Sequence, residues 1–246
     1  MKSFILAIST SLFLISCKKN VDNNNNCKLA QKNDYSSGTI SSSYLYEYDD
    51  MNRVKKITNT YNSTSIVTNF TYSPDSVVAL SNNRHTYFLN NNGLADSSAL
   101  IVPGSPEQIK LYYKYTYNSA GYLVSERQIF SQVYNGNIIL DTTIISYTIA
   151  NGNLVKITDS QSTDETTFEY SNQLRPDNNF ELTAQPNKFS FLGTSSKNLL
   201  SKVLIGSSIS AEVSYEKDKK GNIIKQTNRN STNGQIAIIE YLYLCN

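Results

Sequence analysis

The 246 residues include 22 Lys and Arg and 20 Asp and Glu, which gives a formal net charge of +2 at pH 7. A chain with charges this evenly balanced and no basic block lacks the positively charged surface that binds phosphates, so a nucleic-acid-binding protein is excluded. The chain holds 18 Tyr and 9 Phe but no Trp. Because Tyr suits a pleated surface that is half buried and half wet, this composition predicts a β-rich protein.

The N-terminus is typical of a secretory signal. Lys2 gives a positive start, and residues 4–15 form an apolar run broken only by small hydroxyl residues. This run is too short to cross a bilayer as a helix of the mature protein. The ending Leu14-Ile15-Ser16-Cys17 resembles a bacterial lipobox. The resemblance implies that residues 1–16 are removed and that Cys17 carries the lipid that attaches the protein to a membrane.

Residues 17–26 are predicted to be the lipidated cysteine and a flexible tether, because they form a polar tract without apolar spacing. Two lysines and an asparagine follow Cys17, where an acidic cluster would resemble a surface-export signal. We therefore expect a lipid-anchored protein of the bacterial outer membrane that faces the periplasm rather than the cell surface.

Two cysteines remain once Cys17 is assigned to the lipid. Cys27 and Cys245 stand at opposite ends of the folded part, in a compartment that permits disulfides. We predict that they form a disulfide that closes almost the whole domain into one loop. The alternative is two separate buried thiols.

From residue 40 onward one pattern returns: an alternating run with aromatic residues, a polar turn, and a second alternating run. Clear copies lie at residues 46–54 and 115–123. Their turns carry Asn or Gly, which supply the positive φ that tight hairpin turns need, and Asn52 stands where the other copy has Gly121. Further copies, some of them degenerate, lie at residues 70–77, 88–94, 148–154, 168–174 and 215–223.

Repeats spaced about 20 to 30 residues apart predict consecutive antiparallel hairpins. Residues 27–246 are therefore expected to form a single all-β domain, an antiparallel up-and-down meander of about 14 to 16 strands. Such a meander either curves into an open sheet or closes into a barrel-like shell. Residues 172–200 break the alternation and hold two prolines, so this stretch is predicted to be an irregular insertion or a cap over one end.

Alternation also assigns the tyrosines to one face of the sheet. We take these side chains as a candidate binding surface, because rings on a curved sheet can stack against sugars, peptides or lipid tails. The other interpretation is that the rings form the core of a protein that has no Trp. The members of this surface are Tyr44, Tyr46, Tyr48, Tyr113, Tyr115 and Tyr117.

The hairpins resemble two known families. The run Tyr46-Glu47-Tyr48-Asp49-Asp50-Met51-Asn52-Arg53-Val54 looks like a YD repeat of the Rhs type. Residues 27–246 resemble secreted Bacteroidetes-type lipoproteins of unknown function with a porin-like β fold. Those proteins are similar in the lipobox, the cysteine before the first strand, the Tyr-x-Tyr-(Asp/Asn)-x-x-Gly hairpins and a Ser-Lys-Asn-Leu element, here residues 196–199. The resemblance implies a β fold and no established activity.

A porin-like fold raises the question of membrane insertion. The strand face opposite the tyrosines carries Glu47, Lys114 and Glu169, and these charges would lie in hydrocarbon if the barrel spanned a bilayer. We therefore expect a water-soluble shell with the tyrosines on its inner face.

The sequence offers little for catalysis. The single histidine, His85, has no second His and no Cys nearby, so we expect a structural role at the surface or half buried. Metal-ligand spacings, cofactor loops and nucleophile motifs are absent, so no catalytic, metal or cofactor site is assigned and no enzyme is expected. A pair of carboxylates that converge from distant strands stays open.

The sequence thus predicts a lipid-anchored envelope protein that serves as a structural module or as a ligand- or partner-binding module. The alternative is a nutrient-capture accessory that binds glycan or peptide, and an undiscovered hydrolase comes third. The expected partners are the membrane, through the lipid on Cys17, and a glycan, a peptide or another envelope protein.

Overall fold

Antiparallel strands make up nearly all of the described chain. The structure is a computed structural model that describes residues 27–102, 110–134, 137–177 and 189–245. The predicted signal, Cys17 and the tether lie outside the described residues, as do residues 178–188 of the predicted insertion. The strands are β1 (Cys27–Ser36), β2 (Thr39–Tyr48), β3 (Val54–Tyr61), β4 (Thr64–Tyr72), β5 (Ser76–Leu80), β6 (Arg84–Leu89), β7 (Ala95–Ile101), β8 (Lys110–Tyr117), β9 (Leu123–Tyr134), β10 (Asn137–Ala150), β11 (Asn153–Asp159), β12 (Thr166–Leu174), β13 (Asn198–Ile205), β14 (Ser208–Lys217), β15 (Ile223–Asn230) and β16 (Ile236–Cys245).

The strands pair in chain order, and the last strand returns to the first. β1 pairs antiparallel with β16, so the meander closes into a barrel of 16 strands. Cys27 lies opposite Cys245 at this seam, and a disulfide joins them. The predicted all-β antiparallel meander is confirmed, and of the two forms left open it takes the closed one. Closure pairs the two strands that would otherwise be sheet edges.

A recurrent turn builds one end of the barrel. Asp49 begins the β2–β3 turn, and its Oδ1 accepts the backbone N–H groups of Met51 (2.9 Å) and Arg53 (2.8 Å). Asn52 adopts the positive φ (62°) expected of it. The same arrangement, an Asp or Asn first and a positive φ three residues later, recurs in the turns that begin at Asn90, Asn118 and Asp218. The repeat in the sequence is thus a repeat of Asx turns.

The two ends of the barrel differ. The Asx turns and the disulfide lie at the end where even-numbered strands pass to odd-numbered ones, which we call the closed end. The opposite end, with the two-residue turns at Ser37–Gly38 and Asn62–Ser63, we call the open end. Buried residues that directly follow the Asx turns form the core at the closed end: Val54, Ala95, Leu123 and Ile223.

A segment from the β12–β13 connection fills the closed end. A short 3-10 turn, Ser190–Leu192, buries Phe191 and Leu192 inside the barrel. Backbone hydrogen bonds hold this segment to the turns, from Thr194 N to Gly121 O (2.9 Å) and from Lys197 N to Gly152 O (2.9 Å).

Among the described residues, no helix has the length and apolar character needed to span a membrane.

The outer wall carries charged pairs as well as exposed apolar side chains such as Leu45, Phe88 and Leu242. Cross-strand ion pairs lie on it, including Lys56–Glu47 (2.8 Å), Lys202–Glu169 (3.1 Å) and Lys225–Glu216 (2.7 Å). Glu47 and Glu169 thus point away from the tyrosine face, as the alternation predicts. An outward apolar band of the kind that spans a bilayer would not hold such pairs.

Candidate functional site

A cavity of about 400 Å³ lies inside the barrel, between the inner faces of strands β2 to β7 and towards the open end. Its volume is within the range of small-molecule sites in proteins. The residues that line it are Tyr44, Tyr46, Ile57, Asn59, Ile66, Thr68, Phe70, Ala79, Ser81, Asn83, His85, Tyr87, Leu100 and Phe189.

The register of the strands explains this wall. Residues directly opposite each other on paired strands share a face, so each row of partners continues around the barrel. One row runs from Tyr44 through Asn59 to Ile66. A second runs from Tyr46 through Ile57 to Thr68, and a third joins Phe70, Ala79, His85 and Leu100.

Aromatic rings form the floor of the cavity. The Phe189 ring lies 5.1 Å from that of Phe70 and stacks at 5.3 Å on Phe191. Phe191 in turn lies 4.9 Å from the Tyr87 ring. These centroid distances are those of favourable aromatic pairs. The segment that fills the closed end therefore also limits the depth of the cavity.

His85 belongs to a hydrogen-bonded chain in the wall. Its Nε2 lies 2.8 Å from Ser98 Oγ, and its Nδ1 lies 3.0 Å from the Tyr87 hydroxyl. Ser98 Oγ also lies 2.9 Å from the Tyr115 hydroxyl. Burial lowers the pKa of His85 to about 4, so the imidazole is neutral at pH 7.

This Ser–His contact does not make a hydrolytic site. Ser98 is 2% exposed, so its Oγ is not open to a substrate. The second ring nitrogen of His85 faces a phenol and not a carboxylate that would orient the imidazole as a base. The hydrogen-bonded chain from Tyr87 through His85 and Ser98 to Tyr115 thus ties strands β6, β7 and β8 together.

Asn59 differs from the other polar groups of the wall. Its Oδ1 is buried and has no hydrogen-bond partner among the described residues. A buried acceptor without a donor costs free energy, and because this oxygen is inaccessible to solvent it lies behind the cavity surface and not on it. The nearby charges are paired: Lys32 lies 3.6 Å from Asp34, and its ammonium lies 4.5 Å from the centre of the Tyr44 ring.

The six tyrosines predicted as a binding surface all face the interior, but they divide into three groups. Tyr44 and Tyr46 line the cavity. Tyr48 packs near the seam and donates its hydroxyl to Leu29 O (2.7 Å). The other three, Tyr113, Tyr115 and Tyr117, belong to the larger core cluster around Phe191 and Leu192.

Sequence reasoning missed most of the cavity wall, including Asn59, Thr68 and Phe70. Their inward position follows the same alternation that selected the tyrosines, and extending it through β3 to β7 would have identified them. Phe189 could not be found in this way, because it lies in a segment without periodicity.

One carboxylate lies deep in the barrel wall outside the cavity. Glu126 accepts hydrogen bonds from Gln128 (2.7 Å) and Tyr147 (3.3 Å), and burial raises its pKa. Within the residues described, no group of three or more His, Cys, Asp or Glu side chains is placed to hold a metal ion. The cavity itself is lined by uncharged residues, which are aromatic rings, aliphatic side chains, amides and hydroxyls together with the neutral His85.

Comparison with known proteins agrees on the fold. No family model matches the chain, and no curated protein matches it. A porin-like protein from Bacteroides uniformis is similar in structure, with a TM-score of 0.63 and 15% identity over 87% of this chain and 96% of that one. A porin-like protein from Bacteroides vulgatus has a TM-score of 0.62 and 13% identity, over 88% and 98% of the two chains. At these identities the similarity shows a shared barrel fold.

Proposed function

We propose that this protein is a lipid-anchored module of the bacterial envelope whose barrel binds a small ligand in its lumen. The observation that carries the proposal is the cavity of about 400 Å³ at the open end. A purely structural barrel would fill its lumen with side chains, as this one does at the closed end. The open half instead keeps a space with convergent polar groups, which is the usual form of a binding site.

The position of the tether supports the same function. Cys27 lies at the closed end, so a tether from a lipidated Cys17 would join the barrel there. Ten residues of tether reach about 35 Å when extended. The open end would then face away from the membrane, on the periplasmic side of the outer membrane in our proposal, where a ligand has free access.

Binding is tested by screening the purified protein against glycans and peptides, followed by calorimetry on any ligand found. Tyr44→Ala removes a ring from the cavity wall and should weaken binding by about tenfold, or 1.4 kcal/mol. Tyr112→Ala is the matched control, because Tyr112 is 42% exposed and points the opposite way from the inward Tyr113. Equal affinity in the two variants would contradict a luminal site. No ligand, together with a stable complex with an envelope protein, would favour the structural or partner-binding role.

Anchoring is tested separately. Metabolic labelling with a fatty acid should mark the wild-type protein and leave Cys17→Ala unlabelled and absent from the membrane fraction. A Cys17→Ala protein that stays in the membrane after carbonate extraction would contradict the lipid anchor.

A further inference from the structure

The wall of the cavity changes in character along the barrel axis. Strand β4 runs from the open end to the closed end, so Phe70 lies deeper than Thr68. Strand β5 runs the opposite way, so Ala79 lies deeper than Ser81, which follows it. The lining residues nearest the closed end are aromatic or aliphatic: Tyr46, Ile57, Phe70, Ala79, Tyr87 and Phe189. The mouth at the open end has the polar side chains of Thr68, Ser81 and Asn83.

The polar atoms between the floor and the mouth are not available to a ligand. The Tyr87 hydroxyl lies 3.0 Å from His85 Nδ1, and His85 Nε2 lies 2.8 Å from Ser98 Oγ. The Oδ1 of Asn59 is buried behind the cavity surface. A polar ligand group placed deep in the cavity would lose its bonds to water and gain few in return, which costs free energy. The deep part therefore favours an apolar group.

The wall also lacks charge. None of the described residues that border the cavity is ionised, since His85 is held neutral. Lys32, whose ammonium lies 4.5 Å from the centre of the Tyr44 ring, already pairs with Asp34 at 3.6 Å. A charge carried into the cavity would therefore have no counter-ion, so the part of the ligand that enters must be uncharged.

The size of the cavity limits the length of the apolar group. Its volume is about 400 Å³. A methylene group takes up about as much space as a water molecule, about 30 Å³, so the cavity holds a chain of roughly ten carbon atoms with ordinary packing gaps. Phe189 closes the deep end, because its ring lies 5.1 Å from that of Phe70 and 5.3 Å from that of Phe191.

We infer that the ligand is a neutral amphiphile, whose apolar chain enters first and whose polar head group stays at the mouth beside Thr68, Ser81 and Asn83. Phe189 is the floor that limits the length of the chain. This inference rests on the proposed function, because it specifies the ligand of the same cavity, and it adds apolar chains to the glycans and peptides that the binding screen contains.

The first test fills the cavity. Ala79→Phe places a ring in the deep wall and should weaken the binding of decanol at least about tenfold, because the ring takes the space of the chain. Leu80→Phe is the matched control: Leu80 is 51% exposed and lies opposite Arg84 on the outer wall, so the affinity should not change. Decanol binding is measured by displacement of the neutral fluorescent dye phenylnaphthylamine. All proteins carry Cys17→Ala in the full chain, so that no lipid or detergent competes for the cavity.

The second test lowers the floor and does not depend on how well the barrel tolerates an added ring. In the parent protein each added methylene group should raise the affinity about fourfold from octanol to decanol and add little from decanol to tetradecanol. Phe189→Ala removes the floor, so the rise should continue to dodecanol or beyond. Phe88→Ala removes a ring that is 49% exposed on the outer wall, and it should keep the parent profile.

Decanol binding that Ala79→Phe weakens and Leu80→Phe leaves unchanged supports the inference. A chain-length profile that is the same in Phe189→Ala as in the parent overturns entry of the chain down to the floor. If only a glycan or a peptide binds, and Ala79→Phe weakens its binding, the inference is overturned and the luminal site stands. If no compound binds in a way that depends on position 79, the proposed function is overturned as well.

Discussion

At the scale of single residues, the barrel wall holds two titratable groups whose burial makes stability depend on pH in opposite directions. His85 is held neutral in its network, with a pKa lowered to about 4, while an exposed histidine titrates near 6.5. The folded state therefore binds fewer protons than the unfolded state between these values. The contribution of the buried, neutral His85 to the free energy of unfolding is complete above about pH 6.5 and is lost as the pH falls towards about 4.

Replacing His85 should reduce this acid sensitivity. We expect His85→Asn to be less stable than wild type at pH 7, because the contacts with Ser98 and Tyr87 are lost. The difference between the two proteins should shrink by about 1–2 kcal/mol between pH 7 and pH 4.5, a figure reduced for partial exposure. Urea unfolding across this pH range measures it. A constant difference would show that His85 does not titrate on unfolding.

Glu126 should behave in the opposite sense. Its carboxyl pKa is raised by burial, so the folded state binds more protons than the unfolded state above the ordinary carboxyl pKa of about 4.3. The ionised form thus costs stability at neutral pH, and that cost disappears as the pH falls towards this value. Glu126→Gln should stabilise the protein by about 1 kcal/mol at pH 7 and by little at pH 4, measured by the same urea series. A variant that is less stable at both pH values would contradict this assignment.

At the scale of elements, the segment that fills the closed end depends on one close backbone approach. Gly193 follows the Ser190–Leu192 turn with φ of +105°. A Cβ there would lie 2.7 Å from Gly121 O and 2.9 Å from Cε1 of Tyr117. Neither neighbour is the end of a flexible side chain, so the segment would have to shift.

Gly193→Ala should therefore destabilise the protein by about 2–4 kcal/mol. Gly206→Ala is the matched control: its φ is also positive (+59°), but a Cβ there meets nothing within 4 Å. The control should cost only about 1 kcal/mol. Thermal melting of both variants measures the combined cost of the close contact and of the extended positive-φ backbone at Gly193 (φ +105°, ψ −174°) against a left-handed glycine in open space, and equal losses would contradict a close fit at Gly193.

The elements also show how far the sequence could predict the fold. Strands, hairpin turns and the inward tyrosine face are local, since alternation and turn residues such as Asn52 determine them. Closure is not local, because it depends on pairing β1 with β16 across the whole chain, and only Cys27 and Cys245 signalled that contact. The cavity was even harder to predict from the sequence than closure, because its wall combines residues of β2 to β7 with Phe189 from an aperiodic segment.

At the scale of the whole molecule, the seam between β1 and β16 is the place where the barrel either closes or opens. The disulfide joins residues 218 positions apart, so in the unfolded state it constrains almost the entire domain. The chain-entropy account gives roughly 5 kcal/mol for a loop of this size, and measured effects are commonly smaller. The β1–β16 ladder itself runs from Cys27 to Ser36, so the backbone pairing of the seam extends well beyond the disulfide.

The double variant Cys27→Ser/Cys245→Ser should therefore fold into the same barrel but unfold at a lower denaturant concentration, by about 2–5 kcal/mol in free energy. Reduction of the wild-type protein should reproduce this loss, while Cys17→Ala, which leaves the bridge intact, should not. Circular dichroism without denaturant reports the fold, and the urea midpoint reports the stability. If the variant lost its β signal without denaturant, the disulfide would be a requirement for closure, and the β1–β16 hydrogen bonds would not suffice to hold the seam.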